Sequence, residues 1–443
     1  MNWHGKPVTV MGLGHFGGGV AAARWLAGQG ARVTVTDLAD QKVLADSLAE
    51  LTEVPIAAFH LGGHQEDDFR NADAVVVNPA VRPGNPYVEI ARNAGARITT
   101  EIEMFIRECP ARIVGVTGSN GKSTTAAMTA AILCAAGRCT WLGGNLGGSL
   151  LERLGEIGPE DWVVLELSSF QLWYMDPRTP MPHVAVVTNC TSNHLDWHGR
   201  FEDYAAAKQR ILTGQTPEDF AVLNTLDPEV AAWSRLVRGR QVPLLPEAKI
   251  PPLPVAGEHN RINAACAAVA AAAAGCDEEA IRQGLEGFTA LPQRLELVAV
   301  VGGRRFYNDS SATAPESTVA ALNSLEGRVW LLAGGRDKGL DFRSLCETMV
   351  GRACGAAFYG SVRDVLLTAV TDRSPGFCAA GFQSMAGALA WCWEHSRPGD
   401  AIVLSPACSS QDQFQNFRQR GEHFAALVRR LAEVDKTSPR PPE

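Results

Sequence analysis

Residues 112–124 read RIVGVTGSNGKST, in which an apolar run leads into a Gly-rich turn. Glycines between a strand and a helix let backbone N–H groups close around phosphate oxygens at the helix N-terminus. The Lys122 amine can reach the β- and γ-phosphates of a nucleotide, and the Ser123 hydroxyl can hold Mg²⁺. A strict phosphate loop has Gly where Val116 stands, but the strand, the Gly-Lys-Ser triplet and a helical run occur together here. The stretch therefore predicts an ATP-binding loop rather than a Gly-rich helix cap alone.

Similar units of a short β-branched run, a Gly-rich turn and an Ala/Leu-rich segment recur along the chain. Strands that alternate with helices predict an α/β fold of parallel sheets covered on both faces, with ligands beyond the C-terminal strand ends. The predicted strands are Val8–Met11, Arg32–Thr36, Ala74–Val77, Arg112–Thr117, Trp162–Leu167, Val184–Thr188, Val329–Leu332 and Ala401–Leu404. The predicted helical runs near the motifs are Thr125–Ala136 and Tyr204–Leu212.

The length of 443 residues exceeds what one hydrophobic core supports, so we expect three domains. One boundary is predicted near residue 100 and another near Leu291-Pro292. The expected parts are a Rossmann-like domain over 1–100, a central P-loop ATPase-type domain with a parallel-rich sheet over 101–290, and a Rossmann-like domain over 291–435. The closing KTSPRPPE, residues 436–443, is expected to be a disordered tail.

Composition excludes several classes of protein. Hydrophobic residues make up 46% and charged residues 20% of the chain, which is typical of globular domains, and a net charge of -8 argues against nucleic acid as a partner. No secretory signal pattern is visible, and the Ala-rich run Ala264–Ala274 is too short to span a membrane. Eleven scattered cysteines without a CxxC pair indicate buried thiols and no structural metal. We expect a cytoplasmic monomer with small-molecule substrates and no membrane partner.

A second Gly-rich turn, GLGHFG at residues 12–17, also follows a predicted strand, and Asp37 ends the next one. This pattern is a dinucleotide-binding fingerprint of modest specificity, which leaves an NAD-dependent oxidoreductase as an alternative. A dehydrogenase has no use for a further phosphate loop at Lys122, however. We therefore expect this domain to hold the nucleotide part of a substrate, with Gly14, His15 and Asp37 among the contacts.

Two further stretches carry candidate metal and catalytic residues. Glu166 ends the apolar strand that begins at Trp162, and a carboxylate in this place near a phosphate loop commonly contacts Mg²⁺. Residues 188–199, TNCTSNHLDWHG, hold two histidines and an aspartate. Their spacing alone fits a hydrogen-bonding loop as well as a ligand set for His194. Lys208 on the following helical run would ordinarily be a solvated charge.

Together these motifs resemble the Mur ligase family, whose members join an amino acid to a UDP-linked muramoyl precursor through an acyl-phosphate. The motifs occur in the family's order and spacing over nearly the whole chain: GSNGKST at 118–124, GGNLG at 143–147, ELSSFQL at 166–172, TNCTSNHLDWHG at 188–199, YAAAK at 204–208, GEHNRIN at 257–263 and LPQRLE at 291–296. SPACSSQDQFQNF at 405–417, followed by Arg420-Gly421, resembles the members that add D-glutamate. The implied activity is ATP- and Mg²⁺-dependent ligation of D-glutamate to UDP-N-acetylmuramoyl-L-alanine in cell-wall precursor synthesis.

The resemblance implies a role for each motif residue. The catalytic residues would be Lys122, Glu166, His194 and Lys208. The Mg²⁺-linked residues would be Ser123, Glu166, His194 and Lys208, the last as a carbamate, because a carbamate offers anionic oxygens where an ammonium is repelled. The ATP contacts would be Gly118, Asn120, Gly121, Lys122, Ser123, Thr124, Asn260, Asn263, Arg294 and Asp309. The muramoyl precursor would contact Asn145, Ser168 and His194, and D-glutamate would contact Lys338, Ser410 and Phe417.

The chain departs from the family's pattern at a few positions. Ser311 stands where a lysine is common, and Leu38 and Ala39 replace the polar residues that often follow Asp37. Three alternatives stay open: a related ligase that adds L-glutamate or another acid, a folylpolyglutamate synthase-like ligase, and a non-catalytic nucleotide-binding regulator. The 405–417 stretch argues against the folate activity. Retention of the phosphate loop and its neighbouring motif residues argues against an inactive binder.

Overall fold

The computed structural model describes residues 2–14, 17–244, 250–255, 257–336 and 340–437, with only the backbone for 434–437. It contains three sheets that are mostly parallel and have helices between most successive strands, so the predicted α/β fold class is confirmed. The chain divides into two compact units, Met1–Pro252 with Ile262–Gly287 and Leu253–Arg261 with Phe288–Glu443. The first unit contains the first and second sheets, and the second unit contains the third. The boundaries predicted near residues 100 and 291 stay predictions.

The first sheet has five parallel strands in the order β3-β2-β1-β4-β5. Its strands are β1 Pro7–Met11, β2 Arg32–Asp37, β3 Ala58–Leu61, β4 Ala74–Val77 and β5 Arg97–Thr99, and its helices are α1 Gly18–Gly28, α2 Ala45–Ala49, α3 Glu66–Arg70 and α4 Pro86–Asn93. Every residue of β4 is buried, as expected for a parallel strand covered on both faces. Gly12 to Gly14, the described start of the Gly-rich turn, follow the C-terminal end of β1, the middle strand.

The second sheet has six parallel strands in the order β11-β10-β9-β6-β8-β7. Its strands are β6 Arg112–Thr117, β7 Thr140–Gly144, β8 Trp162–Glu166, β9 Val184–Val187, β10 Phe220–Leu223 and β11 Arg240–Val242. The helices of this part of the chain are α5 Glu101–Glu108, α6 Lys122–Ala135, α7 Ser169–Trp173, α8 Leu195–His198, α9 Phe201–Thr213, α10 Pro228–Ala232, α11 Glu258–Ala273 and α12 Glu278–Glu286. Strand β6 lies between β8 and β9, so the phosphate loop at its end has neighbours on both sides.

The third sheet is mixed, in the order β12-β13-β17-β14-β15-β16. Its strands are β12 Glu296–Val301, β13 Arg304–Asn308, β14 Val329–Gly334, β15 Ala353–Tyr359, β16 Ala379–Gly381 and β17 Ala401–Ala407, and its helices are α13 Pro315–Ser324, α14 Arg343–Arg352, α15 Arg363–Arg373, α16 Met385–His395 and α17 Phe417–Thr437. Strand β12 pairs antiparallel with β13, whereas the other pairs are parallel. The sequence interpretation did not include this hairpin.

The chain ends and the cysteines require two corrections. Helix α17 extends to Thr437, two residues into the predicted tail, and 438–443 lie outside the described residues. Six of the eleven unpaired cysteines are buried, as expected, but three are exposed: Cys134, Cys139 and Cys378. The first two lie at the solvent-facing end of α6 and in the turn after it. Among the described residues, no helix is both long and apolar enough to cross a membrane.

Candidate active site

The phosphate loop requires glycine at two positions. Gly121 adopts the left-handed conformation (φ 79°) immediately before α6. A Cβ atom there would lie 2.2 Å from the side-chain oxygen of Asn263, and one at Gly118 would lie 2.0 Å from Thr188 Oγ1. These distances are far below van der Waals contact. The backbone of the loop is therefore packed closely against its neighbours, with its N–H groups at the N-terminus of a 14-residue helix.

The end of β9 holds the phosphate loop in place. Asn189 accepts a hydrogen bond from the Asn120 N–H at 2.8 Å and donates to the Asn120 carbonyl at 3.0 Å. Thr188 Oγ1 donates to the same carbonyl at 2.6 Å, and the Asn189 carbonyl accepts from the Ser119 N–H at 2.9 Å. The sequence interpretation did not assign this role to Thr188 and Asn189. The signal that could have indicated it is their position at the end of a predicted strand.

Glu166 meets Ser123 at the end of β8, next to the phosphate loop. Its side chain is buried, with the residue 1% exposed. Ser123 donates to one carboxylate oxygen at 2.5 Å, and the side-chain amide of Asn145 donates to the other at 2.9 Å. The parallel register places Glu166 beside Val116 on β6 and beside Gly144 on β7. Three residues predicted from separate motifs thus form one hydrogen-bonded group.

Lys208 is buried rather than solvated. It is 1% exposed, its ammonium donates to the Gly118 carbonyl at 2.7 Å, and it lies 4.6 Å from the ring centre of Tyr204 one helical turn earlier. Burial, followed by the positive charge of Lys122, holds the pKa of Lys208 well below its usual value. Lys122 itself donates to the Ser119 carbonyl at 2.9 Å. Both lysines therefore contact the backbone of the phosphate loop.

The two histidines of the 188–199 loop differ in burial. His194 is exposed and left-handed (φ 56°), with its ring centre 4.8 Å from that of Phe170 and 6.3 Å from that of Tyr204. His198 is buried, and its Nε2 lies 2.9 Å from Ser169 Oγ. Burial, followed by the charge of Lys208, lowers the pKa of His198 to about 4. The sequence interpretation did not select His198, whose i, i+4 spacing from His194 was its only signal.

Two predicted substrate contacts have structural partners within the first unit. Ser168 caps α7 in a capping box with Gln171, in which the Gln171 N–H donates to Ser168 Oγ at 3.3 Å. Asp37 accepts the N–H groups of Leu13 and Ala39, both at 2.9 Å. At Gly14, a Cβ atom would lie 2.8 Å from the Asn78 amide nitrogen. Asp37 thus fixes the Gly-rich turn, and His15 lies outside the described residues.

The other predicted nucleotide contacts lie in both units. Asn263 is buried in the first unit beside Gly121, and Thr124 lies in the first turn of α6. In the second unit Asn260 is buried, and Arg294 lies between two left-handed residues, Gln293 and Leu295. Asp309 accepts from Ser405 Oγ at 2.8 Å and from the Leu295 N–H at 3.2 Å. Burial raises the pKa of Asp309 to about 7, against the lowering effect of the hydrogen bond from Ser405.

A buried arginine organises the C-terminal edge of the third sheet. Arg420 is fully buried and donates to Ser310 O at 2.8 Å, Cys408 O at 2.9 Å and Gly334 O at 3.4 Å. These carbonyls belong to the segments that end or follow three neighbouring strands. Ser410, predicted to contact D-glutamate, is buried two residues after Cys408, while the predicted contact Lys338 lies outside the described residues.

Phe417, the remaining predicted D-glutamate contact, begins α17 and is half-buried. Its backbone carbonyl accepts a hydrogen bond from Ser310 Oγ at 2.8 Å. Arg420, which the sequence interpretation did not select, also donates to Ser310 Oγ, at 3.0 Å. The start of α17 is therefore joined to the segment that follows β13.

A phosphate loop at the centre of a parallel sheet, with a buried carboxylate and a buried lysine beside it, defines a P-loop nucleotide-binding protein of the α/β class. Three family models match the chain: the Mur ligase MurD-like N-terminal domain at residues 6–100, the Mur ligase middle domain at 116–246 and the Mur ligase glutamate ligase domain at 293–408. The chain belongs to the Mur ligase family.

Relatives of known name match nearly the full chain. The UDP-N-acetylmuramoylalanine--D-glutamate ligase of Acidobacterium capsulatum is 37% identical, with 97% of each chain covered. The ligase of the same name from Roseiflexus sp. is 38% identical, with 97% of this chain and 99% of that protein covered. Among solved structures, MurC from Thermotoga maritima has a TM-score of 0.60 at 19% identity and covers 98% of this chain and 100% of its own. MurF from Acinetobacter baumannii has a TM-score of 0.61 at 18% identity, and the match covers 97% of this chain and 91% of that one. These two likenesses concern the fold.

Proposed function

We propose that this protein catalyses the ATP-dependent ligation of D-glutamate to UDP-N-acetylmuramoyl-L-alanine, a step of peptidoglycan precursor synthesis that releases ADP and phosphate. The observation that carries this proposal is the match to ligases of that name over 97% of the chain. The group of Ser123, Glu166, Asn145 and Lys208 around the phosphate loop supports a phosphoryl-transfer step.

The residues around the phosphate loop fit Mg²⁺. Ser123 Oγ and a Glu166 carboxylate oxygen lie 2.5 Å apart, and Mg²⁺ is commonly held by one or two such oxygens together with substrate phosphates and water. Within the described part of the chain, no group of three or more His, Cys, Asp and Glu side chains could hold an ion alone. Substrate oxygens would therefore complete the coordination. When bound, Mg²⁺ supplies positive charge that stabilises the transferring phosphoryl group.

In the first step, the alanyl carboxylate attacks the γ-phosphorus of ATP, the bond to the β,γ-bridging oxygen breaks, and an acyl-phosphate and ADP form. The N–H groups of the phosphate loop bind the phosphates, and the Lys122 ammonium neutralises charge that develops on them. Lys122 has the reach for this role because it stands in the first turn of α6 and already contacts the loop. Asn120, Gly121 and Thr124 would complete the cradle.

In the second step, the amine of D-glutamate attacks the carbonyl carbon of the acyl-phosphate. The tetrahedral intermediate loses a proton from nitrogen and expels phosphate, leaving the amide. We assign binding of D-glutamate to Lys338, Ser410 and Phe417 of the second unit. The ammonium of Lys338 and the hydroxyl of Ser410 are suitable partners for its carboxylates. Asn145, Ser168 and His194 would position the muramoyl end.

Lys208 would act as a carbamate. The ammonium first loses one proton, and the neutral amine then attacks carbon dioxide, forms the N–C bond and loses a second proton, so that a cation becomes an anion. The lowered pKa of Lys208, caused by burial and by Lys122, raises the fraction of the reactive neutral amine. An anion at this buried position would place oxygen ligands beside the phosphate loop. Together with His194 it would hold a second Mg²⁺, besides the one at Ser123 and Glu166, as the family resemblance implies.

The proposal is tested with purified full-length protein, ATP, Mg²⁺ and UDP-N-acetylmuramoyl-L-alanine. We expect phosphate release and a product one glutamyl residue heavier with D-glutamate, and neither with L-glutamate. Preference for L-glutamate would replace the proposal by the related-ligase alternative. Glutamylation of a folate instead of the muramoyl precursor would favour the folylpolyglutamate synthase-like ligase. Nucleotide binding without turnover on any of these substrates would favour the regulator.

A further inference from the structure

A cavity of about 660 Å³ lies within the first unit, away from the phosphate loop. Its walls come from the loop after β4, from α4 and β5 of the first sheet, and from the segment after α7 with one residue of α9. The volume is within the range of small-molecule sites and much larger than a single ion needs. The lining includes no residue of the phosphate loop, of the first Gly-rich turn, or of the groups that hydrogen-bond to either.

The lining carries more positive than negative side chains, and three of its four arginines pair with a carboxylate. Four arginines line the cavity against one carboxylate, that of Asp176. Arg178 pairs with Asp176 at 2.8 Å, and Arg92 pairs with Glu89, outside the lining, at 2.5 Å. Arg97 pairs with the buried Glu103 at 2.7 Å. Counting these partners, four arginines stand against three carboxylates around the cavity.

Arg210 has no carboxylate partner among the described residues. It is half-buried, and its Nη1 donates to the carbonyls of Leu172, Trp173 and Met175 at the end of α7. Burial, followed by the positive charge of Arg92, lowers the pKa of Arg210. A partly desolvated cation that faces a second cation is unfavourable, and an anion between them would relieve both effects.

The cavity also offers an aromatic wall. Trp173 and Tyr174 line it, and the Arg210 guanidinium lies 5.5 Å from the Trp173 ring centre. A guanidinium fork suits bidentate contact with a phosphate, and ring faces suit the organic part of a ligand. We propose that this cavity is a second binding site, for a phosphorylated small molecule whose phosphate is held by Arg92, Arg178 and Arg210.

The test uses inorganic pyrophosphate as the probe, titrated calorimetrically into full-length protein. All proteins carry Lys122→Ala, which weakens anion binding at the phosphate loop. The site variant adds Arg92→Gln and Arg178→Gln, whose exposed side chains make normal folding expected, and circular dichroism checks this. The matched control adds Arg70→Gln and Arg282→Gln, exposed helical arginines that each pair with a glutamate of their own helix, as Arg92 does.

We expect the site variant to bind pyrophosphate tenfold to a hundredfold more weakly than the control, since each lost hydrogen bond to a charged group weakens binding by about tenfold or more. Succinate, titrated as a dicarboxylate without phosphorus, should bind more weakly than pyrophosphate to the control protein. Equal pyrophosphate affinity in the site variant and the control, or the absence of saturable binding in both, would overturn the proposal. Tighter binding of succinate than of pyrophosphate would overturn the phosphorylated class of ligand. The result does not depend on turnover, so it stands apart from the proposed ligase activity.

Discussion

Two lysine residues donate hydrogen bonds to backbone carbonyl groups of the phosphate loop, and they differ in how deeply they are buried. Lys122 is half-buried at the start of α6, whereas Lys208 is buried on α9. We expect Lys122→Ala to lower kcat by about a hundredfold or more with the fold intact, because charge stabilisation in the transition state is lost. Phosphate release under saturating substrates measures this. The exposed Lys42→Ala is the control, and near-normal turnover in a folded Lys122→Ala protein would remove the assignment.

Lys208→Ala should lose activity for a different reason, the loss of an anion. If the residue functions as a carbamate, then acetate or formate should restore part of the turnover of Lys208→Ala by supplying carboxylate oxygens. Chloride at the same ionic strength is the control and should restore none. Absence of a carbon-13 carbamate signal after incubation of the wild-type protein with labelled bicarbonate, Mg²⁺ and substrates would contradict this idea.

Asp309 should make the stability of the second unit depend on pH. Burial raises its pKa to about 7, above the value of roughly 4 in the unfolded chain. A raised carboxyl pKa contributes stability that is present below about pH 4 and is lost as the pH rises through about 7. The free energy of unfolding should therefore fall by roughly 2 kcal/mol from this group between about pH 5 and pH 7. Asp309→Asn should flatten that fall in urea unfolding, and an unchanged pH slope would contradict the shifted pKa.

Some site residues could be predicted from sequence and others could not. Ser123 and Glu166 were predictable because each ends or follows a strand of one sheet, and parallel strands bring such ends together. His198 and Arg420 gave no comparable signal, since their roles depend on tertiary burial. Arg420 lies 110 residues from its partner Ser310 in sequence, and an arginine on a long amphipathic helix is ordinarily solvated.

Among the strands, too, some could be predicted from the sequence and others could not. The eight predicted strands are all present, and Ala74–Val77 and Arg112–Thr117 have the predicted bounds. Continuous β-branched runs identify strands that are buried on both faces. Strand β12 was missed because it is an edge strand whose residues are half-exposed and whose pattern alternates weakly. Its antiparallel pairing depends on the Gly302-Gly303 turn, which the interpretation did not use.

The C-terminal edge of the third sheet should depend on Arg420. Arg420→Met would leave the carbonyls of Ser310, Cys408 and Gly334 without this donor, and each buried unsatisfied group costs about 1–3 kcal/mol. We expect a loss of about 3 kcal/mol in the free energy of unfolding of the second unit, measured by calorimetry. Arg429→Met, at an exposed position of the same helix, should change stability little. A loss below about 1 kcal/mol for Arg420→Met would show that water or other groups replace the guanidinium.

At the scale of the whole molecule, the same arrangement of strand ends occurs in all three sheets. Each sheet has polar or Gly-rich segments at the C-terminal ends of its central strands: the turn after β1, the phosphate loop after β6 and the segments after β14 and β17. The first two lie in one compact unit and the third in the other. In the assignment proposed above, the edge of the first sheet would hold the UDP end of the precursor, that of the second sheet ATP and the muramoyl end, and that of the third sheet D-glutamate.

The proposed division of substrates is tested most directly at Lys338. Strands β14 and β17 are paired in parallel, so the chain leaves both at the same edge of the third sheet. In the sequence, Lys338 follows β14 and Ser410 follows β17. Losing a charged contact to a carboxylate costs about 1.5–3 kcal/mol, so Lys338→Ala should raise the KM for D-glutamate by roughly tenfold to a hundredfold. The KM for the UDP-linked substrate should barely change, because its expected contacts Gly14 and Asp37 belong to the first unit. Initial rates of phosphate release with each substrate varied in turn give both constants, with the exposed Arg343→Ala as the control. A Lys338→Ala protein that lost affinity for the UDP-linked substrate but kept normal use of glutamate would show that the two substrates have been assigned to the wrong units.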